Sequence, residues 1–92
     1  MAERASVRIS LQDLESTVSR MLSPFLGETM ARASVIGHRD RLGIGGPEVN
    51  GDQVRALMEK IRAGLNVFVG REKSAGIVEE IVKALEQRGA AS

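Results

Sequence analysis

Apolar and polar side chains alternate over the first residues of the chain. The apolar positions of this stretch are Ala5, Val7, Ile9 and Leu11. A period of two is typical of a strand with one buried face, because successive side chains of a strand point to opposite sides. The pattern predicts an extended N-terminal arm over residues 1–9, with strand character over residues 5–10.

A helical period begins after Ser10. The apolar residues that then recur three or four positions apart are Leu11, Leu14, Val18, Met21 and Leu22. This spacing predicts a helix over residues 11–22. We expect Ser10 to cap its first turn, with the carboxylate of Asp13 facing the positive end of the helix dipole.

The dipeptide Ser23-Pro24 interrupts this pattern. Proline is favoured at the first position of a helix, and serine is favoured as the N-cap that precedes it. The two residues therefore predict a break and a second helix over residues 24–36.

Glycine dominates residues 37–51, GHRDRLGIGGPEVNG. Glycine and proline at this density favour irregular structure, so the segment is expected to form a long loop. Leu42 and Ile44 are its large apolar residues, and we expect them to hold the loop against the core.

A central helix is predicted over residues 52–69. Its apolar stripe consists of Val54, Leu57, Met58, Ile61, Leu65, Phe68 and Val69. Asn50 and Gln53 have the spacing of a capping box, and Gly70 is suited to end the helix. Phe68 lies on the stripe and is expected to be buried.

An alternative interpretation concerns the end of this segment. Leu65, Val67 and Val69 also alternate, as the residues of a strand would. Strands near 5–10 and 65–69 would then make an α+β fold, although the longer helical period favours a helix.

The final helix is predicted over residues 74–87, with Ser74 as its cap. Residues 89–92 are expected to form a tail, and no internal repeat is evident. The sequence thus predicts an all-α fold: a compact four-helix domain over residues 10–88, with the extended N-terminal arm before it.

Composition narrows the class of protein further. Thirteen basic and twelve acidic residues give a net charge of +1, and the chain has no cysteine. Disulfides and thiolate metal sites are therefore excluded. The start of the sequence lacks the features of a secretory signal, and no apolar run is long enough for a transmembrane helix. We expect a cytoplasmic protein with no membrane association, and the excess of arginine over lysine is compatible with a bacterial origin.

The sequence contains no complete catalytic signature. His38 is the sole histidine, so neither a nucleophile–base pair nor a metal site can be assembled from the usual residues. The stretch GREKS after Val69 has one of the glycines that a phosphate-binding loop requires, with Glu72 where bare backbone amides are needed. We therefore expect no enzymatic activity, and no catalytic, cofactor-binding or metal-binding residue is predicted.

The N-terminal arm followed by two helices resembles ribbon-helix-helix repressors. In that family a short strand pairs with its twin across a dimer, and its polar face lies in the major groove of DNA. The resemblance implies a dimeric DNA-binding regulator as the alternative function. The residues that would then contact DNA are Arg4, Ser6, Arg8 and Ser10.

A second resemblance lies in residues 22–35, LSPFLGETMARASV. This stretch is similar to short helical adaptor or multimerisation segments of bacterial signalling proteins. The resemblance implies an adaptor or multimerisation module and names no partner.

The favoured function is protein–protein interaction through self-association, with a homo-oligomer as the expected state and another protein as a possible partner. Two helices carry more apolar surface than a small domain readily covers, and such surface favours association. The residues predicted to mediate self-association are Ala56, Ala63, Val67, Val78, Val82 and Leu85.

Overall fold

A computed structural model describes residues 8–91 of the chain, with side chains as far as residue 88. Over these residues the chain forms four helices and two short strands. In chain order they are β1 (Arg8–Ser10), α1 (Leu11–Leu26), α2 (Glu28–Arg41), β2 (Glu48–Asn50), α3 (Gly51–Val69) and α4 (Arg71–Ala91). The predicted four-helix fold is confirmed, and β1 is the described part of the expected strand.

Both predicted N-terminal caps are present. The backbone N–H of Asp13 donates to the side-chain oxygen of Ser10, which fixes the start of α1. At the start of α3, Asn50 and Gln53 each accept a hydrogen bond from the backbone of the other, at 2.9 Å in both directions. The capping box satisfies two N–H groups that a helix would otherwise leave unpaired.

The boundary between α1 and α2 differs from the prediction. Pro24 lies inside the last turn of α1, and the helix ends at Gly27. A proline this close to a helix end removes one hydrogen bond and leaves the earlier turns intact. Ser23 is therefore not a cap; its hydroxyl donates to the carbonyl of Ser19 within α1.

The predicted loop over residues 37–51 is shorter in the structure. Helix α2 continues through Gly37 to Arg41, and the segment ends in the strand β2. Ile44 is buried and Leu42 packs against the core, so both hold the connection as expected. The predicted helix end before Gly37 is wrong, because an isolated glycine weakens a helix without ending it.

The second half of the chain rules out the alternative α+β fold. Residues 65–69 are helical, so the α+β interpretation with a strand there is wrong. Gly70 ends α3, as predicted, and α4 begins directly at Arg71. Ser74 is thus not a cap but a fully buried residue of α4, whose hydroxyl donates to the side-chain oxygen of Asn66 on α3.

Strands β1 and β2 pair in antiparallel fashion, with Ile9 opposite Val49. Both side chains are buried and lie over the core. The other fully enclosed large residues come from every helix: Leu14, Val18 and Leu22 of α1, Val35 of α2, Leu57, Met58, Ile61 and Leu65 of α3, and Ile81 and Leu85 of α4.

The described residues form two units of similar architecture. Each unit contains a strand, a helix, a glycine joint and a second helix: β1-α1-Gly27-α2 and β2-α3-Gly70-α4. In the strand pair Arg8 lies opposite Asn50 and Ser10 opposite Glu48. Residues 8, 9 and 10 of β1 correspond to residues 48, 49 and 50 of β2. If the two strands exchange places, the same residue pairs form again. This is the register of a two-fold axis through the centre of the ribbon.

The two glycine joints have the same conformation. Gly27 has φ 83° and ψ 158°, and Gly70 has φ 90° and ψ 164°. Each glycine N–H donates to the carbonyl four residues earlier, and each glycine carbonyl accepts from the residue four positions later, which is Ala31 or Ser74. Ala31 and Ser74 are both fully buried, so the equivalence extends into the core.

Thr17 is a buried polar residue of α1 in an otherwise apolar part of the core. Among the described side chains, Thr17 Oγ1 is buried with no hydrogen-bond partner. A buried hydroxyl without a partner destabilises the folded state by its lost hydration.

Replacement of this hydroxyl by a methyl group is therefore expected to stabilise the protein. Thr17→Val should raise the free energy of unfolding by about 1 kcal/mol, because the shape is kept and the unpaired group is removed. Urea unfolding followed by circular dichroism measures the change. Thr17→Ser is the matched control, since it keeps the hydroxyl and should be destabilising; a destabilising Thr17→Val would show that the hydroxyl is satisfied.

Candidate protein-interaction surface

The large apolar side chains that stay exposed on the described residues lie at one end of the molecule. They are Phe25 (39% exposed), Met30 (50%), Val67 (84%) and Phe68 (59%), and we call them the Phe68 surface. The Nζ atom of Lys73 lies 5.9 Å from the centre of the Phe25 ring. Lys73 follows Gly70 closely and Phe25 precedes Gly27 closely, so both glycine joints are at this end of the molecule. The ribbon lies at the opposite ends of α1 and α3.

A groove of about 300 Å³ runs between α2 and α3 beside this surface. Its floor contains the buried residues Ile61 and Leu65. We call it the Phe68 groove; its walls and rim are formed by Leu26, Met30, Ala33, Ser34, Gly64 and Phe68. The walls are open because three of these residues are small.

The prediction that Phe68 is buried is wrong. Phe68 lies in the last turn of α3, and the chain turns away at Gly70, so its ring stays 59% exposed. The helical period places this ring near the core side of α3, but periodicity does not show where the neighbouring helix ends. Truncation of the ring by Phe68→Ala is therefore expected to lower the free energy of unfolding by less than about 1 kcal/mol.

The far end of α2 is basic. His38 is half-buried, and its pKa is lowered below the usual value by burial and by the positive charges of Arg41 and Lys60. Arg41 belongs to the last turn of α2, and Lys60 lies on the neighbouring helix α3. Two positive charges therefore lie near His38, and both disfavour its protonation.

The lowered pKa of His38 predicts a pH dependence of stability. The unfolded chain binds a proton at His38 near pH 6.5, whereas the folded chain binds it only at lower pH. Stability should therefore be complete above pH 6.5 and decrease as the pH falls through the lowered pKa. Thermal unfolding across this range, compared with His38→Gln, measures the effect. An equal pH dependence in both proteins would contradict this assignment to His38.

The residues predicted to mediate self-association fall on two different faces. Ala56, Ala63 and Val67 are exposed on α3, and Val67 belongs to the Phe68 surface. The other three line a second groove of about 290 Å³ between β1, α3 and α4. There Val78 and Val82 are half-buried, and Leu85 is fully buried as part of the core.

The second groove differs from its counterpart in the first unit. Val82 lies twelve residues after Gly70, and Arg39 lies twelve residues after Gly27. Arg39 closes the gap between α1 and α2 by hydrogen-bonding Glu15 and Asp40. Val82 instead packs against the core, so this groove is lined mainly by side chains that are already half-buried or buried.

The residues of the DNA-binding alternative are placed as follows. Arg4 and Ser6 lie outside the described residues. Arg8 is exposed on β1, and Ser10 is occupied as the cap of α1. Within the described ribbon Arg8 shares the outer face with the exposed carboxylate of Glu48, so the two charges offset each other.

Two kinds of feature are not found within residues 8–91: a cluster of metal-binding side chains and a membrane-spanning helix. No group of three carboxylate or imidazole side chains there is close enough to bind a metal ion. No helix in this part of the chain is both long and apolar enough to cross a membrane. No protein-family model matches the chain, and neither a curated protein nor a solved structure matches it significantly.

The sequence interpretation missed most of the residues of the Phe68 groove. A signal for them exists in the repeated sequences Phe25-Leu26-Gly27 and Phe68-Val69-Gly70. Phenylalanine two residues before a helix-ending glycine is expected in the last turn, where fewer neighbours cover it.

Proposed function

We propose that this protein is a non-enzymatic interaction module that self-associates into a homo-oligomer through the Phe68 surface. The observation that carries the proposal is the position of the aromatic residues. The chain has two, Phe25 and Phe68; both stay substantially exposed, and Phe68 lines an apolar groove.

The size of the surface supports an interaction role. The exposed parts of the four side chains amount to on the order of 400 Å² of apolar area, taking 150–250 Å² for a whole aromatic side chain. Exposed apolar area of this amount at one end of a small domain is a common feature of interaction sites. Exposed aromatic residues and methionine are also the types enriched in interfaces.

Two other functions have less support. An enzyme would need convergent polar groups in a pocket, whereas the Phe68 groove is lined chiefly by apolar and small residues. DNA binding by the ribbon would need a basic outer face, whereas the described strands carry the acidic Glu48 on the same face as Arg8. We propose a cytoplasmic location for this module.

Sedimentation equilibrium tests the proposal directly. From micromolar to submillimolar concentration, the molar mass should rise from the monomer value of 9.9 kDa towards a multiple of it. A constant monomer mass over the whole range would refute self-association. Binding of duplex DNA that weakens steeply with salt and is lost in Arg8→Ala would instead favour the regulator.

A further inference from the structure

The internal two-fold axis makes two of the helix contacts equivalent. Helix α2 of the first unit packs against α3 of the second, and α4 of the second unit packs against α1 of the first. We call these two contacts the α2–α3 junction and the α1–α4 junction. Residues that lie the same number of positions along the chain from Gly27 and from Gly70 are equivalent in them. The α1–α4 junction therefore shows how the α2–α3 junction would be filled if the units were identical.

The two junctions differ in the size of their side chains. Six residues before the glycine, α1 has Met21 and α3 has Gly64; seven residues after it, α4 has Ile77 and α2 has Ser34. Met21 and Ile77 are partly buried against the core. Gly64 and Ser34 instead line the Phe68 groove. The groove is thus the space that two large apolar side chains occupy in the other half of the molecule.

The rims of the junctions differ as well. Three residues after the glycine, α4 has Lys73 and α2 has Met30. Lys73 lies over the ring of Phe25, which is equivalent to Phe68. At the α2–α3 junction an uncharged methionine replaces that lysine, so Phe68 lacks the equivalent cationic cover and is the more exposed of the two rings.

We propose that the Phe68 groove is occupied by a second copy of this chain, in a two-fold dimer in which Phe68 of each copy enters the groove of the other. This deepens the proposed self-association and rests on it. An aromatic ring and an open groove lie side by side on the same face of the molecule. That arrangement is self-complementary, as a two-fold interface requires, because the same patch must serve both partners.

The area available is consistent with a second copy as the occupant. Each copy contributes on the order of 300 Å² of exposed apolar area from Met30, Val67 and Phe68, less than half of the ~800 Å² that each partner buries in a typical interface. The rest is available on the exposed face of α3 next to the groove, where Ala56, Ala63 and Gly64 allow another helix to approach closely. The dimer would therefore have an apolar centre and a rim that includes Lys60.

The experiment fills the groove with the residues of the other junction. The double variant Gly64→Met, Ser34→Ile should fold, since a Cβ atom added to Gly64 would meet no atom of another described helix within 4 Å and methionine is a better helix former than glycine. Sedimentation equilibrium should show dimerisation weakened at least tenfold. Phe68→Ser, which removes the inserted ring, should have the same effect. Gly76→Met, the same change at an exposed glycine of α4, is the matched control and should dimerise like the unmodified protein.

The outcomes separate the inference from the proposed function. Circular dichroism and thermal unfolding first establish that each variant is folded. If the unmodified protein self-associates and both variants retain its affinity, the groove is not the interface, although self-association stands. If the unmodified protein is monomeric at every concentration, both the proposed function and the dimer fail.

Discussion

Leu65→Ala is expected to lower the free energy of unfolding by about 3–4 kcal/mol, and Leu22→Ala by a similar amount. Each leucine lies five residues before a glycine joint, and each is buried, at 2% and 0% exposure. Truncation removes the apolar contacts and leaves a cavity that the close-packed helices fill only in part. Similar losses are expected because the two positions are equivalent under the internal two-fold axis.

Urea unfolding at one fixed protein concentration measures both losses, since association would otherwise shift the apparent stability. Arg62→Ala is the control: this residue also lies in α3, but it is exposed and outside the Phe68 surface, so its effect should stay within about 0.5 kcal/mol. A loss below about 1 kcal/mol for Leu65→Ala would mean that α3 does not bury this side chain and would contradict the arrangement of the core.

Gly27→Ala and Gly70→Ala are each expected to cost about 1–3 kcal/mol, because their backbone conformation is one that residues with a Cβ atom rarely adopt. Both joints have positive φ with extended ψ. Among the described residues, no atom beyond the adjacent ones lies within 4 Å of a Cβ added at either glycine, so the cost comes from the backbone and not from a clash.

Gly37→Ala provides the matched control for the joints. Gly37 lies inside α2 with equally open surroundings, so alanine there should stabilise the protein by about 0.5–1 kcal/mol through its higher helix propensity. Opposite signs at Gly37 and at the joints are the expected pattern in thermal or urea unfolding. Stabilisation by Gly70→Ala would show that α3 and α4 are not joined as described.

Sequence periodicity predicts most of the helical architecture. The apolar stripes of α1 and α3 and their capping residues are local signals, so Ser10 and the pair Asn50–Gln53 can be identified without knowledge of tertiary structure. Strand β2 was missed because three residues are too few to show a period, and its pairing with β1 is a long-range contact. The helix break predicted at Pro24 is absent because the effect of a proline depends on its distance from the helix end.

The proposed interaction surface was predictable only in part. The stripe of Ala56, Ala63 and Val67 is exposed on α3, as the helical pattern indicated. The burial of Leu85 and the exposure of Phe68 depend on which elements pack beside them, and a single helix does not contain that information. The repeat is difficult to find in the sequence because α3 has 19 residues and α1 has 16. An alignment of the two units without a gap therefore matches either the strands or the glycine joints, but not both.

Contacts between two copies of the chain test the central claim most directly. In an equimolar mixture of isotope-labelled and unlabelled protein at submillimolar concentration, a filtered NOE experiment detects only contacts between protons of different molecules. We expect intermolecular cross-peaks from the Phe68 ring to the methyl group of Ala33 and the Cα protons of Gly64, and their loss in the Gly64→Met, Ser34→Ile variant. Intermolecular cross-peaks confined to Val78 and Val82, or none involving Phe68, would contradict the proposed dimer.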